Sequence, residues 1–265
     1  MKFGVCANQR LPAALRAARE IVKYLKGGIV LEQSTAEAMG ESGVRLEKMA
    51  ADILLVVGGD GTMLQTLMRS DAAVLGINAG DVGFLTEAGL NGVRGAIDRI
   101  LSGKYRIEEK IKLRTVVDGK RVEDAVNEAV AHTASTGKVR HFILAVDHNS
   151  VGVVKADGII ISTPTGSTSY SLAAGGPIVD PSASVLVISP IAPYGISSRP
   201  IVAGAKSTIR LGIEGSRPCR LVIDGQANHR LSGGETVEFS VSERVARFVR
   251  FDYDFYRRIH TKLTG

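Results

Sequence analysis

The stretch Ala51–Leu67, ADILLVVGGDGTMLQTL, limits what this chain can fold into more than any other. Five apolar residues, Ile53 to Val57, run unbroken up to a pair of glycines and are rich in branched side chains. A short apolar run of that kind predicts a strand buried on both faces, as in a parallel sheet. Gly58, Gly59 and Gly61 then admit turns closed to residues with a Cβ. Helical spacing resumes at once, with Met63, Leu64, Leu67 and Met68 on one face. Asp60 is therefore expected between the carboxyl end of a strand and the amino end of a helix. Open α/β sheets bind ligands at that edge. A helix start also presents unpaired N–H groups and positive dipole to a phosphate.

An ordinary βα turn with Asp60 capping the helix has the same composition. Thr62 supplies a second cap, however, and three glycines in four residues cost backbone entropy that a plain turn need not lose. No Gly-Lys-Ser/Thr follows, so this is not a Walker A loop. An aspartate where a lysine would bind phosphate suits a proton acceptor or an indirect metal contact. The residues resemble the GGDGT signature shared by NAD kinases, diacylglycerol kinases and, loosely, 6-phosphofructokinases.

The chain has 265 residues, enough for two modest domains or one large one. An apolar share of 45% with 23% charged residues is ordinary for a soluble globular protein. The 33 basic and 27 acidic residues leave a net charge of +6, which suits an anionic ligand such as a nucleotide or polyphosphate. Nucleic acid is not expected, because there is no dense Lys/Arg run, no basic–aromatic stripe and no Trp. Cys6 and Cys219 make neither a disulfide framework nor a metal cluster; both lie in apolar contexts and read as buried thiols in a reducing compartment. No secretory signal opens the chain and no apolar run reaches the ~20 residues that span a bilayer. The expectation is a cytoplasmic protein with no membrane partner.

In chain order, Lys2–Cys6 predicts a first strand, Leu11–Leu25 a helix and Ile29–Leu31 a second strand. Gln33–Gly43 is polar and weakly patterned, and reads as a surface loop. Ala73–Ile77 is the next strand and Val93–Leu101 the next helix. This alternation predicts a small doubly wound α/β unit. Beyond Lys104 short β-rich segments take over: Leu113–Val117, Phe142–Val146, Gly152–Val154, Gly158–Ser162, Val185–Ser189, Thr208–Ile213, Arg220–Ile223, Thr236–Ser240 and Arg247–Phe251. They predict an antiparallel, sandwich-like domain, with Asp254–Leu263 helical and returning to the first domain. The expected division is 1–103 for the α/β domain with the GGDGT loop, 104–252 for a β-rich dinucleotide-binding domain, and 253–265 for a helix packing on the first domain.

Three further constellations carry chemistry. Gly76–Leu85, GINAGDVGFL, is a weak dinucleotide fingerprint, since Asn78 stands where a glycine is needed. It reads either as a second glycine loop beside Asp60, lining the same crevice, or as a βα turn with Phe84 packed into the core. Asn127-Glu128 interrupts an apolar stretch; such a pair suits ribose hydroxyls and base edges, and equally suits a solvated surface. In Asp157–Pro181 an apolar strand runs into Ser162, Thr163, Thr165, Ser167, Thr168, Ser169, Tyr170 and Ser171. That density of hydroxyls suits a polar ligand, with Tyr170 able to stack on a ring, or a plain loop of ST-turns. The five histidines show no metal-ligand spacing, and no Gly-x-Ser-x-Gly elbow is present.

TPTGSTSYSLAAGGPIV resembles the long signature of NAD kinases, which the lipid kinases and phosphofructokinases lack. GGDGT, GINAG-xx-GFL, NE and DG occur in the same order, so the resemblance spans about residues 52 to 235. It implies phosphorylation of the adenosine ribose 2′-hydroxyl of NAD, giving NADP, with ATP or polyphosphate as donor and Mg²⁺ or another divalent ion carried on that donor. Asp60 matches the proton acceptor, with Gly61 beside it at the dinucleotide. Gly58, Gly59, Gly61 and Thr62 match the phosphate-donor loop. Asn127 and Glu128 match the pair on ribose and base, and Asp157 the acid near the nicotinamide end. Thr168, Ser169, Tyr170, Ser171, Leu172 and Ala173 match the loop around the nucleotide. Gln226 belongs to a DGQ turn, Asp224-Gly225-Gln226, that closes the site. Lys138 and Lys155 fall where the family often has a basic ligand-binding residue. Two departures are visible: Ser169 replaces the usual Ala, and Val82 the usual Leu. The family also implies a homodimer or homotetramer. The alternatives are a diacylglycerol-type lipid kinase and a non-catalytic dinucleotide sensor.

Overall fold

The computed structural model describes residues 1–80, 83–135, 139–194, 198–215 and 217–263. Lys138 and Val82 lie outside the described residues. Packing divides the chain into two compact units, Met1–Glu109 with Ala246–Gly265, and Lys110–Val245.

The first unit begins β1 (Phe3–Ala7), α1 (Pro12–Leu25), β2 (Ile29–Leu31), α2 (Gln33–Met39), β3 (Ile53–Gly58), α3 (Asp60–Arg69) and β4 (Ala73–Asn78). A two-residue β5 (Ala88–Gly89) and α4 (Val93–Leu101) follow. Strands β2, β1, β3 and β4 lie side by side and all run parallel. Every residue of β1, β3 and β4 is buried, as the unbroken apolar run around Ile53 predicts. Helices α1 and α4 close the core with Ala14, Ala18, Ile21, Ala96, Ile97 and Ile100 against Val5, Leu55, Val57, Leu75 and Ile77.

Gln33–Met39 is a helix, not the expected loop. Glu32 caps it with Oε1 accepting from Ser34 N–H at 3.0 Å and Oε2 from Thr35 N–H at 2.9 Å. The helix is pinned through a polar residue, since buried Thr35 accepts the Ala7 N–H at 2.8 Å. Apolar periodicity therefore carries little trace of it.

The second unit is antiparallel throughout its main sheets. Its elements are β6 (Arg106–Val117, entering from the first unit), β7 (Lys120–Arg121), β8 (Glu128–Thr133), β9 (Arg140–Val146), β10 (Asn149–Ala156), β11 (Gly158–Ser162) and α5 (Tyr170–Ala173). There follow β12 (Val185–Ile191), β13 (Ile201–Gly204), β14 (Ile209–Ile213), β15 (Cys219–Ile223), β16 (Ala227–Leu231) and β17 (Thr236–Arg250). One sheet has the order β13-β12-β11-β8-β15-β16, and β10, β9, β14 and the start of β17 are neighbours in another. The two segments expected at 236–240 and 247–251 are one strand, β17. Its last residues belong to the first unit, where Phe248 pairs in parallel with Val74 of β4. The closing helix α6 (Phe255–Leu263) belongs to that unit as well. Cys6 and Cys219 are buried free thiols. Among the described residues no helix is long and apolar enough to cross a membrane.

Candidate active site

In the first unit Gly58 at the end of β3 pairs with Asn78 at the end of β4. The segments that follow thus leave the sheet at the same carboxyl edge. Asp60 is the first residue of α3, with Gly59 as its N-cap and no side chain capping it. Neither Asp60 nor Thr62 takes the capping role considered for them. The Gly59 carbonyl accepts from Thr62 and Met63 N–H at 3.1 and 3.2 Å, so the Asp60 and Gly61 N–H groups are those a helix start leaves for a ligand. Gly61 is exposed and Asp60 half-buried.

The Asp60 carboxylate faces the second glycine loop. Oδ2 accepts from Phe84 N–H at 2.8 Å and Oδ1 from Leu85 N–H at 3.1 Å. A Cβ on Gly83 would fall 1.9 Å from Asp60 Oδ1, so only glycine allows this approach. Leu85, not Phe84, is the residue of this loop that enters the core, at 4% exposure. Phe84 is half-buried, with the Lys262 ammonium 5.0 Å from its ring centre.

In the second unit three strand ends meet at one edge. Glu128 opens β8 opposite Ser162, the last residue of β11, while β15 pairs Ile223 with Ala129 and leads into Asp224. The Asp224 carboxylate accepts the N–H groups of Val126, Asn127 and Glu128 at 2.6, 2.8 and 3.0 Å. Thr163, the residue after β11, ties on the next loop. Its N–H donates to Asn127 O, its hydroxyl donates to Val126 O, and the hydroxyl oxygen accepts from Gly166 N–H. Gly166 sits so close that a Cβ would lie 2.2 Å from Asn127 O.

Asn127 and Glu128 are each 7% exposed, so the solvated-surface alternative is wrong for this pair. Both keep an unpartnered oxygen among the described residues, Asn127 Oδ1 and Glu128 Oε2. Buried oxygens left this way are costly, and ligand hydroxyls, which both donate and accept, would satisfy them. Glu128 Oε1 accepts from the Ser169 hydroxyl at 3.2 Å. The serine that departs from the family pattern thus gives this carboxyl a partner that alanine lacks. Burial and the neighbouring Asp224 charge push Glu128 up to about 8. Burial lifts Asp224 to about 6, against the pull of its three backbone donors and the charge of Lys112. Both carboxyls are thus raised above the ordinary range, Glu128 the further.

The predicted residues fall into distinct places. Asn127, Glu128 and Ser169 are joined by the hydrogen bonds above, and Thr168 and Ser171 lie in the same Thr163–Ala173 loop. Tyr170 is 42% exposed, with its ring available for stacking. Gln226 is exposed in the turn after Asp224. Asp157 precedes β11, roughly 20 Å along the strand from Thr163. Lys155 is exposed on β10 with no hydrogen bond linking its side chain to this network. Sequence reasoning missed the part played by Asp224 and Thr163. An Asp-Gly pair carries no mark of a carboxylate that caps amides 97 residues away.

The first unit carries an acid and a helix start at the carboxyl edge of a parallel α/β sheet, and the second carries buried polar groups beside a hydroxyl-rich loop. Residues 3–105 match the family model of the ATP-NAD kinase N-terminal domain, and residues 126–251 that of the C-terminal domain. An NAD kinase of Thermoplasma acidophilum is 38% identical over 99% of this chain and 98% of its own length. One from Thermococcus kodakarensis is 40% identical, over 99% of each. An NAD kinase from Archaeoglobus fulgidus, solved in complex with ATP, superposes with a TM-score of 0.81 at 25% identity, covering 100% of this chain and 99% of that one. A yeast NADH kinase complexed with NADH gives 0.91 at 21% identity, over 100% and 87%. The chain belongs to the NAD kinase family, enzymes that phosphorylate NAD. The lipid-kinase and sensor alternatives find no support in these comparisons.

Proposed function

We propose that Asp60 is the general base of this kinase, taking the proton of the adenosine ribose 2′-hydroxyl of NAD as it attacks the terminal phosphoryl group of ATP or polyphosphate. The observation that carries this is the carboxylate held at both oxygens by backbone N–H groups, at the start of a helix whose first amides are free. Such a carboxylate is fixed in direction and retains lone pairs for a hydroxyl proton. Gly58, Gly59, Gly61 and Thr62 surround the donor phosphates, and the helix-start amides with the dipole of α3 bear on their charge. Asn127 and Glu128 hold ribose and base through their unpartnered oxygens. Thr168–Ala173 wraps the nucleotide with Tyr170 stacking, and Gln226 closes the turn. Asp157, Lys155 and Lys138 are carried over from the resemblance alone.

Among the described residues no group of three or more His, Cys, Asp or Glu side chains gathers to hold a metal ion. A divalent cation enters in this reading as part of the metal–nucleotide donor, whose own phosphates supply its ligands. A cytoplasmic homodimer or homotetramer belongs to the same proposal.

The test is NADP formation from NAD, with ATP and separately with polyphosphate, by wild type and Asp60→Asn. Loss of the base is expected to lower kcat by about 10²–10⁴-fold while NAD binding stays within a few-fold. Near-normal turnover by Asp60→Asn would end the assignment.

A further inference from the structure

The two amides that hold Asp60 are themselves held from behind. The Gly83–Phe84 peptide donates its N–H to Asp60 Oδ2 and accepts from Arg258 Nη1 at its carbonyl, at 2.7 Å. The Phe84–Leu85 peptide donates to Asp60 Oδ1 and accepts from the Tyr253 hydroxyl at 3.2 Å. Arg250 Nη1 donates to the next carbonyl, Leu85 O, at 3.0 Å. Three consecutive carbonyls of the loop thus meet three side chains from the segment that closes the first unit. Tyr253 lies between two cations, with the Arg250 and Arg258 guanidinium groups 3.9 and 4.7 Å from its ring centre. Glu87 locks the same segment by accepting from Phe251 N–H at 2.8 Å and from Arg250 at 3.2 Å.

A peptide unit hydrogen-bonded at both ends is polarised, and each bond strengthens the other. We propose that Arg258 and Tyr253 are positioning residues for phosphoryl transfer, each acting on one oxygen of Asp60 through one intervening peptide group. Arg258 polarises the Phe84 N–H toward Oδ2, and Tyr253 polarises the Leu85 N–H toward Oδ1. The pair fixes the direction of the carboxylate. Among the described residues the charged and titratable groups around this loop, besides Asp60, are Arg258 and Lys262 on α6, Arg250 at the end of β17, Tyr253, and Glu87 and Glu108 facing Arg250. Neither role is visible in the sequence, because nothing marks a carbonyl of residues 83–85 as the target of side chains about 170 positions later.

The inference rests on Asp60 as the base, and the test separates the two. Tyr253→Phe keeps the ring between its cations and removes only the hydroxyl; Arg258→Met keeps the aliphatic length and removes the fork; Arg258→Lys restores a cation. For the first two, kcat is expected to fall about 5–30-fold with KM for NAD and ATP unchanged within about two-fold. Arg258→Lys should recover most of the rate. A readout independent of turnover is the amide proton of each backed residue: Arg258→Met should shift Phe84 upfield, and Tyr253→Phe should shift Leu85. Unmoved amide protons, or a loss confined to KM, would overturn the positioning role. An Asp60→Asn enzyme that keeps turnover would instead remove the base itself.

Discussion

Glu128 and Asp224 are buried carboxyl groups a few atoms apart, and their surroundings order their protons. Asp224 has three amide donors; Glu128 has one hydroxyl and so takes the proton first. For an acid raised by folding, the stabilisation is complete below the unfolded value and is lost as pH rises through the folded one. Wild type should therefore lose stability as pH climbs from about 4.5 to about 8. Glu128→Gln keeps the shape and the acceptor for Ser169 without the charge. Its melting temperature should match wild type near pH 5 and exceed it at pH 9, by roughly 1–3 kcal/mol of stability. Equal melting at pH 9 would mean that Glu128 ionises freely in the folded state. At this scale the sequence was uneven. Glycine spacing placed Asp60 between the end of β3 and the start of α3, although an ordinary βα turn has the same composition. Asn127-Glu128 read equally well as solvated, and burial by a distant carboxylate is what decides it.

Among elements, unbroken apolar runs such as β3 and β11 were legible, whereas the short β8 and β13 were not expected. Strands were cut short or missed where polar residues are satisfied inside. Ser242-Glu243-Arg244 breaks the apolar pattern and split β17 in two on paper. Ser242 is nonetheless buried, its hydroxyl donating to Asp124 Oδ2 at 2.6 Å and accepting from Arg121. Helix α2 was lost for a similar reason, its cap being a glutamate rather than Ser, Thr, Asp or Asn. Burial raises the Glu32 carboxyl, but its hydrogen bonds from Ser34 and Thr35 outweigh this and hold it below the ordinary range. That stabilisation is present above the unfolded value and is lost as pH falls through the folded one. Glu32→Ala should cost about 1 kcal/mol at pH 7, with the gap closing toward pH 3; thermal melts at the two pH values measure it.

Across the whole molecule the chain leaves the first unit at Glu109 and returns at Ala246. A chain stopped after Val245 lacks the strand end beside Val74, helix α6 and every side chain that backs residues 83–85. Limited proteolysis should cut such a chain within residues 79–109 while residues 110–245 resist, and uniform resistance would show that the returning segment is dispensable. There is a consequence for synthesis. A ribosome adding about 5–20 residues per second spends roughly 7–27 s on the second unit before it reaches Ala246. Through that interval the nascent first unit carries Asp60 but not the residues that aim it. The part of the enzyme translated first is thus the last to be completed, and a polypeptide that stops before Ala246 has none of the side chains that back the amides on Asp60.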